Sequence, residues 1–167
     1  MTRKAVVASL CGILLSLTCV HAQESLQSMI ERGLDRAAGQ SLILAQSMAG
    51  NPKALPKTWD GGELKLTSYK GWVSGFFPGV LWMLYEQTGQ DQFLEYARMY
   101  TDRVEPAKTM TTTHDLGFML MSSFGHGYRI TGDPHYLEVI HEGTDSLMTR
   151  WNPHLGVMKS WDANSRW

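Results

Sequence analysis

The sequence predicts an all-α protein: a toroid of helical hairpins with an inner and an outer layer. Three observations carry this reading. Apolar residues recur at helical spacing in five separate stretches. The chain matches itself when slid by 43 positions. In each repeat one helix is apolar nearly all round and its partner is amphipathic, the mark of a buried helix beside an outer one.

Each element follows in order. Arg3 and Lys4, an apolar run from about Ala5 to Leu17 and "VHA" ahead of Gln23 read as a secretory signal peptide cut after Ala22. A run of about 13 residues falls short of the ~20 that cross a bilayer. Lipid attachment at Cys19 is the weaker alternative, because "SLT" is a poor approach to it. The mature chain is then residues 23–167, secreted or periplasmic, with no membrane span. Cys11 and Cys19 both fall in the leader, so disulfides and thiol nucleophiles are excluded from the mature part. Of 15 basic residues against 16 acidic, two basic ones leave with the leader. The acidic remainder argues against nucleic acid as a partner, which needs a basic face.

Helical patterns occupy Glu24–Met48, Gly75–Gln87, Gln92–Val104, Asp115–Ile130 and His135–Arg150. Asn51–Tyr69, rich in Pro, Gly, Lys and Thr, reads as a long connection. "NPHLGVMKSWD" reads as a turn followed by an extended piece, with Val157–Trp161 the only strand expected. The 43-residue shift lays Tyr85 on Tyr128, Thr88 on Thr131, Gly89 on Gly132, Leu94 on Leu137, Glu95 on Glu138, Thr101 on Thr144 and Asp102 on Asp145. Each repeat is thus a helix, a Thr-Gly turn and a helix. The glycine is expected to end its helix at positive φ. The first helices carry Gly75 and Gly79, then Gly117, Gly125 and Gly127. Two hairpins and part of a third leave inner-layer surface around Phe76, Leu81, Phe118 and Phe124 in want of neighbours.

Candidate site residues lie at the entrances to these helices. In "TTTHDLGFML", Asp115 is either a first-turn capping residue or a proton-transfer group. Thr111, Thr112 and Thr113 offer alternative caps that would release Asp115 for chemistry. Trp72 stands before the Gly-rich inner helix, and Trp161 stands in a loop beside Lys159 and Asp162. A flat aromatic in such a place suits the apolar face of a sugar, or a packed core. Lys159 and Arg129 suit a carboxylate or a solvated surface. No metal site is expected: His135 and His141 are six apart on an outer helix, and "HEGTD" lacks the second histidine of a zinc motif. No G-x-S-x-G and no phosphate loop is present.

Four motifs in order, "WVSGFFPGVLWMLYEQTG", "THDLGFM", "GYRITGD" and "VMKSWD", resemble glycoside hydrolase family 88, the unsaturated glucuronyl hydrolases. The resemblance runs from about Trp59 to the C-terminus. It implies an (α/α)6 barrel, of which residues 23–167 would be the N-terminal part. It also implies an enzyme without cofactor that removes 4,5-unsaturated uronic acid from the non-reducing end of lyase-generated oligosaccharides. Water adds across the vinyl ether, and an aspartate acts as general acid and base. By the resemblance Asp115 is the first catalytic aspartate, Trp72 and Trp161 line the sugar pocket, and His114 binds substrate. A second aspartate would lie beyond "SWD", so the chain ending at Trp167 is expected to lack it and to be inactive and poorly folded by itself. Two other readings stay open. One is an unsaturated rhamnogalacturonyl hydrolase, disfavoured by "THDLGFM". The other is a helical-repeat binding module without catalysis.

Overall fold

The structure is a computed structural model that describes residues 25–160 and Asp162. The expected signal peptide lies outside these residues. The chain forms two compact units that divide between Arg36 and Ala37. Helix α1, Leu26–Met48, agrees with the first periodic stretch.

The segment read as a long connection is a β-hairpin instead. Strands β1, Leu55–Asp60, and β2, Glu63–Thr67, pair antiparallel with Trp59 opposite Leu64 and Asp60 opposite Glu63. The turn is Gly61–Gly62, at φ 59° and 78°. Two successive positive φ values are what a two-residue hairpin turn requires, and only glycine adopts both without steric cost. The signal was in the sequence. Asp-Gly-Gly followed by alternating "ELKLT" is a hairpin pattern, masked by the prolines and lysines around it.

Two helical hairpins follow. Helix α2, Phe76–Thr88, leads through Gly89 into α3, Asp91–Asp102. A nine-residue π-helical segment, Gly117–Gly125, continues as α4, His126–Thr131, which leads through Gly132 into α5, Pro134–Met148. The repeat holds atom by atom. Gly89 N–H donates to the Tyr85 carbonyl and Gly132 N–H to the Tyr128 carbonyl, both at 2.8 Å, with φ of 66° and 70°. Thr88 and Thr131 each donate back to the carbonyl four residues earlier, at 2.8 and 2.7 Å. Glu86 and Arg129 occupy equivalent places in the two repeats and pair with each other, at 2.6 and 2.8 Å.

The expected single helix over Asp115–Ile130 is therefore two geometries in series. A π turn reaches one residue further than an α turn, and apolar periodicity does not distinguish them in a short run. A 3-10 turn, Glu105–Thr109, joins α3 to the loop before the π segment. The C-terminal piece is extended as expected, but its strand is short. β3, Trp151–Asn152, pairs with β4, Val157–Met158.

The glycines of the inner helices explain how closely they pack. A Cβ on Gly75 would stand 2.1 Å from the Met119 carbonyl oxygen, and one on Gly79 would stand 2.4 Å from that of Ser122. Helix α2 thus lies with its backbone against carbonyls of the π segment. Helix α2 also meets α3, where the buried Trp82 indole N–H donates to the Thr101 hydroxyl at 2.9 Å. The Tyr100 hydroxyl donates to the Ala45 carbonyl at 2.6 Å and ties α3 to the second half of α1. The core is Leu81, Trp82, Phe93, Tyr100, Met119 and Phe124, all fully buried. Of the four residues expected to want neighbours, Leu81 and Phe124 have them within this chain. Phe76 and Phe118 remain 39% and 52% exposed.

Gly75→Ala is expected to destabilise the protein by about 1–3 kcal/mol, because the methyl must displace backbone rather than a flexible side chain. Gly39, in α1, has nothing within 4 Å of its Cβ position. Gly39→Ala is expected to stabilise by up to about 1 kcal/mol through helix propensity alone. Thermal melting of both variants checks the contrast; equal effects would remove the close-packing account.

Candidate active site

Asp115 sits in the loop that enters the π segment. Thr113 organises that loop twice over. Its hydroxyl oxygen accepts the Asp115 backbone N–H at 3.1 Å, and the same hydroxyl donates to Asp115 Oδ2 at 2.9 Å. The Asp115 carbonyl accepts the Met119 N–H at 3.1 Å and so starts the helical ladder. The helix N-cap position falls at Leu116 and has no side-chain cap. The carboxylate is consequently not spent on capping. One of the three threonines does serve the backbone here, as the sequence allows.

Asp115 is 13% exposed at its side chain and His114 32%. His114 Nε2 lies 3.6 Å from Asp115 Oδ1, while Nδ1 lies 3.1 Å from the Ser160 carbonyl oxygen. A carbonyl can only accept, so Nδ1 carries the proton in that bond. A neutral His114 ring then turns a lone pair on Nε2 toward Asp115. Asp115, His114 and the segment leading to Trp161 are thus brought together. Trp161 itself lies outside the described residues.

Trp72 stands before α2 and is 53% exposed. It packs edge to face on Phe76 and Phe118, with ring centroids 5.7 and 6.3 Å away, and those two rings are 6.0 Å from each other. Phe118 follows Asp115 by three residues, so the aromatic cluster borders the aspartate loop. The three partly exposed rings form an apolar platform, one member of which stands three residues on from Asp115. Phe76 and Phe118 are members that the sequence reading set aside as inner-layer surface.

Arg129 and Lys159, the two cations considered for an anionic ligand, are both engaged. Arg129 holds Glu86 with two parallel bonds, and that contact keeps the Glu86 carboxyl below its ordinary value. Lys159 Nζ lies 2.7 Å from Asp162 Oδ1. The Lys159 ammonium first, and the Arg150 guanidinium second, hold the Asp162 carboxyl below the usual aspartate value. Among the described residues no group of three His, Cys, Asp or Glu side chains gathers as a metal would require, and no helix is long and apolar enough to cross a membrane.

An apolar groove of about 1060 Å³ lies between the second half of α1, the β-hairpin and α2, lined by Ile43, Leu44, Trp59, Leu64, Phe76 and Val80 among others. Asp115, His114 and Trp72 do not line it. Lys57 and Glu63 are the only titratable residues among those that line it. Phe76 is shared between its rim and the aromatic cluster.

No protein-family model matches the chain. Known proteins do. The chain is 41% identical over 96 residues to an unsaturated glucuronyl hydrolase of Formosa agariphila, a stretch that is 57% of this chain and 24% of that one. A crystal structure of an unsaturated glucuronyl hydrolase specific for heparin is similar at 34% identity with a TM-score of 0.69, over 78% of this chain and 36% of that one. A structure of UGL with dGlcA-Glc-Rha-Glc is similar at 25% identity with a TM-score of 0.67, over 79% of this chain and 36% of that one. The chain thus spans about a quarter to a third of the length of these relatives. Its helices match part of the (α/α)6 barrel of the unsaturated glucuronyl hydrolases, glycoside hydrolase family 88, in agreement with the toroid expected from the repeat.

The Asp162 contacts carry a pH dependence whose sign is set by the depressed carboxyl. They contribute in full above the ordinary aspartate value of 3.8 and are lost as pH falls below it through the folded-state value. The melting-temperature difference between the parent and Asp162→Asn is therefore expected to be constant from about pH 5 upward and to shrink as pH falls below the ordinary aspartate value. A difference that grows on acidification would contradict the pairing.

Proposed function

We propose that this chain is part of an unsaturated glucuronyl hydrolase of glycoside hydrolase family 88. The enzyme releases 4,5-unsaturated uronic acid from the non-reducing end of oligosaccharides cut by polysaccharide lyases. The observation that carries the reading is the aspartate loop. The Thr113 hydroxyl donates to the Asp115 carboxylate, which caps no helix, His114 Nε2 stands 3.6 Å from it, and Phe118, three residues on, joins an exposed cluster with Trp72 and Phe76.

The chemistry is hydration of a vinyl ether. A proton is delivered to C4 of the unsaturated sugar while water, giving up a proton, adds its hydroxyl to C5. The resulting hemiketal opens and the glycosidic bond breaks, so the sugar leaves and the remaining chain keeps the bridging oxygen as a hydroxyl. One carboxyl group can serve both proton transfers, donating as the acid and accepting from water as the carboxylate. Asp115 is the residue proposed for this, and no metal or cofactor is needed to balance the step. His114 is proposed to bind the substrate and orient Asp115. Trp72 and Trp161 are proposed to receive the apolar faces of the sugars. The same proposal includes export from the cytoplasm with cleavage after Ala22, which N-terminal sequencing of the exported protein checks.

Asp115→Asn keeps size and hydrogen bonding but cannot shuttle a proton. In the full-length gene product it is expected to lower release of unsaturated uronate by about 10²–10⁴-fold with binding still measurable. Loss of ultraviolet absorbance from an unsaturated disaccharide follows the reaction; turnover within about threefold of the parent returns Asp115 to a structural role. Trp72→Ala is expected to raise KM by roughly threefold to tenfold, the worth of one aromatic stacking contact, with a smaller change in kcat. A collapsed kcat at unchanged KM would contradict a binding role for Trp72.

A further inference from the structure

Arg150 follows α5, and its side chain is 3% exposed. All five of its N–H donors have acceptors. Nε donates to the Lys159 carbonyl at 2.9 Å, and Nη2 donates to the Ser160 carbonyl at 2.7 Å. Nη1 donates to the Thr111 carbonyl. Nη1 and Nη2 also meet the two carboxylate oxygens of Asp162, each at 3.3 Å. One buried group therefore grips two separate segments: the loop that carries Thr113, His114 and Asp115, and the piece that runs from Lys159 to Asp162. Neither the proton-transfer chemistry nor the sugar platform uses it.

Ser160 is where the two segments meet. Its carbonyl takes one bond from Arg150 Nη2 and a second from His114 Nδ1. A carbonyl oxygen has two acceptor sites, and these are both filled. We propose that Arg150 is a positioning residue of this site, fixing the Ser160 carbonyl so that it holds His114 in the Nδ1–H form with Nε2 toward Asp115. This rests on the reading of Asp115 as the proton-transfer group. The planar five-donor fork is what the task demands. A lysine has three donors at one point and cannot reach four partners spread over two segments.

The test uses the full-length gene product and the variants Arg150→Lys, Arg150→Met and Asp162→Asn. Nitrogen NMR of histidine-labelled protein reads the His114 tautomer, and steady-state hydrolysis of an unsaturated uronyl disaccharide reads kcat and KM. In both Arg150 variants His114 is expected to lose its fixed Nδ1–H form. With it kcat falls by about 10–100-fold, the usual cost of small misplacement, while KM moves less than about threefold. Lysine does not rescue. Asp162 is half-exposed and its amide variant keeps the shape, so Asp162→Asn reports in the same direction, more weakly, should the Arg150 variants fail to fold. Unchanged His114 nitrogen shifts in a folded variant overturn the proposal whatever the turnover. Asp115→Asn separates the two ideas: if it stays active, the functional reading fails while the tautomer measurement still decides the role of Arg150.

Discussion

The structure depends on the approach of two backbones that no side chain separates. Gly75 and Gly79 let α2 lie directly on carbonyls of the π segment. Because both helices are held at that spacing, their N-terminal entrances lie side by side. Trp72 precedes one and Asp115 precedes the other, so segments some forty positions apart in the chain come together. Phe118 reaches Trp72 across this seam. A methyl group on Gly75 would meet the Phe118 and Met119 carbonyls and force the two backbones to shift. Packing in the inner layer thus sets where Trp72 and the aspartate loop stand relative to each other.

A second device recurs where chain leaves the outer helices. Arg103, just after α3, donates to the carbonyls of Met48, Ala49 and Ala54 and stacks on Tyr100 with its guanidinium carbon 4.2 Å from the ring centroid. Arg150, just after α5, gathers the carbonyls of Thr111, Lys159 and Ser160. In both places carbonyls from the end of a helix or from loops converge on a planar cation. Buried carbonyls left without partners cost free energy, and an arginine satisfies several at once. The first of these clusters closes the end of α1. The second orders the aspartate loop.

The repeat has a use beyond economy of folding. Glu86 and Arg129 hold equivalent positions, and the two hairpins lie so that these positions face each other. Substituting opposite charges at one repeat position links neighbouring hairpins. This pairing engages Arg129, one of the two cations that the sequence offers to a carboxylate.

The sequence by itself determined the helices and the two Thr-Gly turns, because each is decided within a few residues of chain. Gly89 and Gly132 end their helices as their neighbours dictate, and Thr113 meets Asp115 two residues on. The Gly61–Gly62 hairpin was equally local and legible, and was hidden only by the prolines and lysines that flank it. Asp115, His114 and Trp72 were marked by motif. Tertiary structure alone decided the π geometry, the membership of Phe76 and Phe118 in the aromatic cluster, and the part played by Arg150. The reason is physical. A carbonyl is the same group in every residue, so nothing in the sequence marks which carbonyls an arginine will find; only the folded chain brings Thr111 and Ser160 to the same guanidinium.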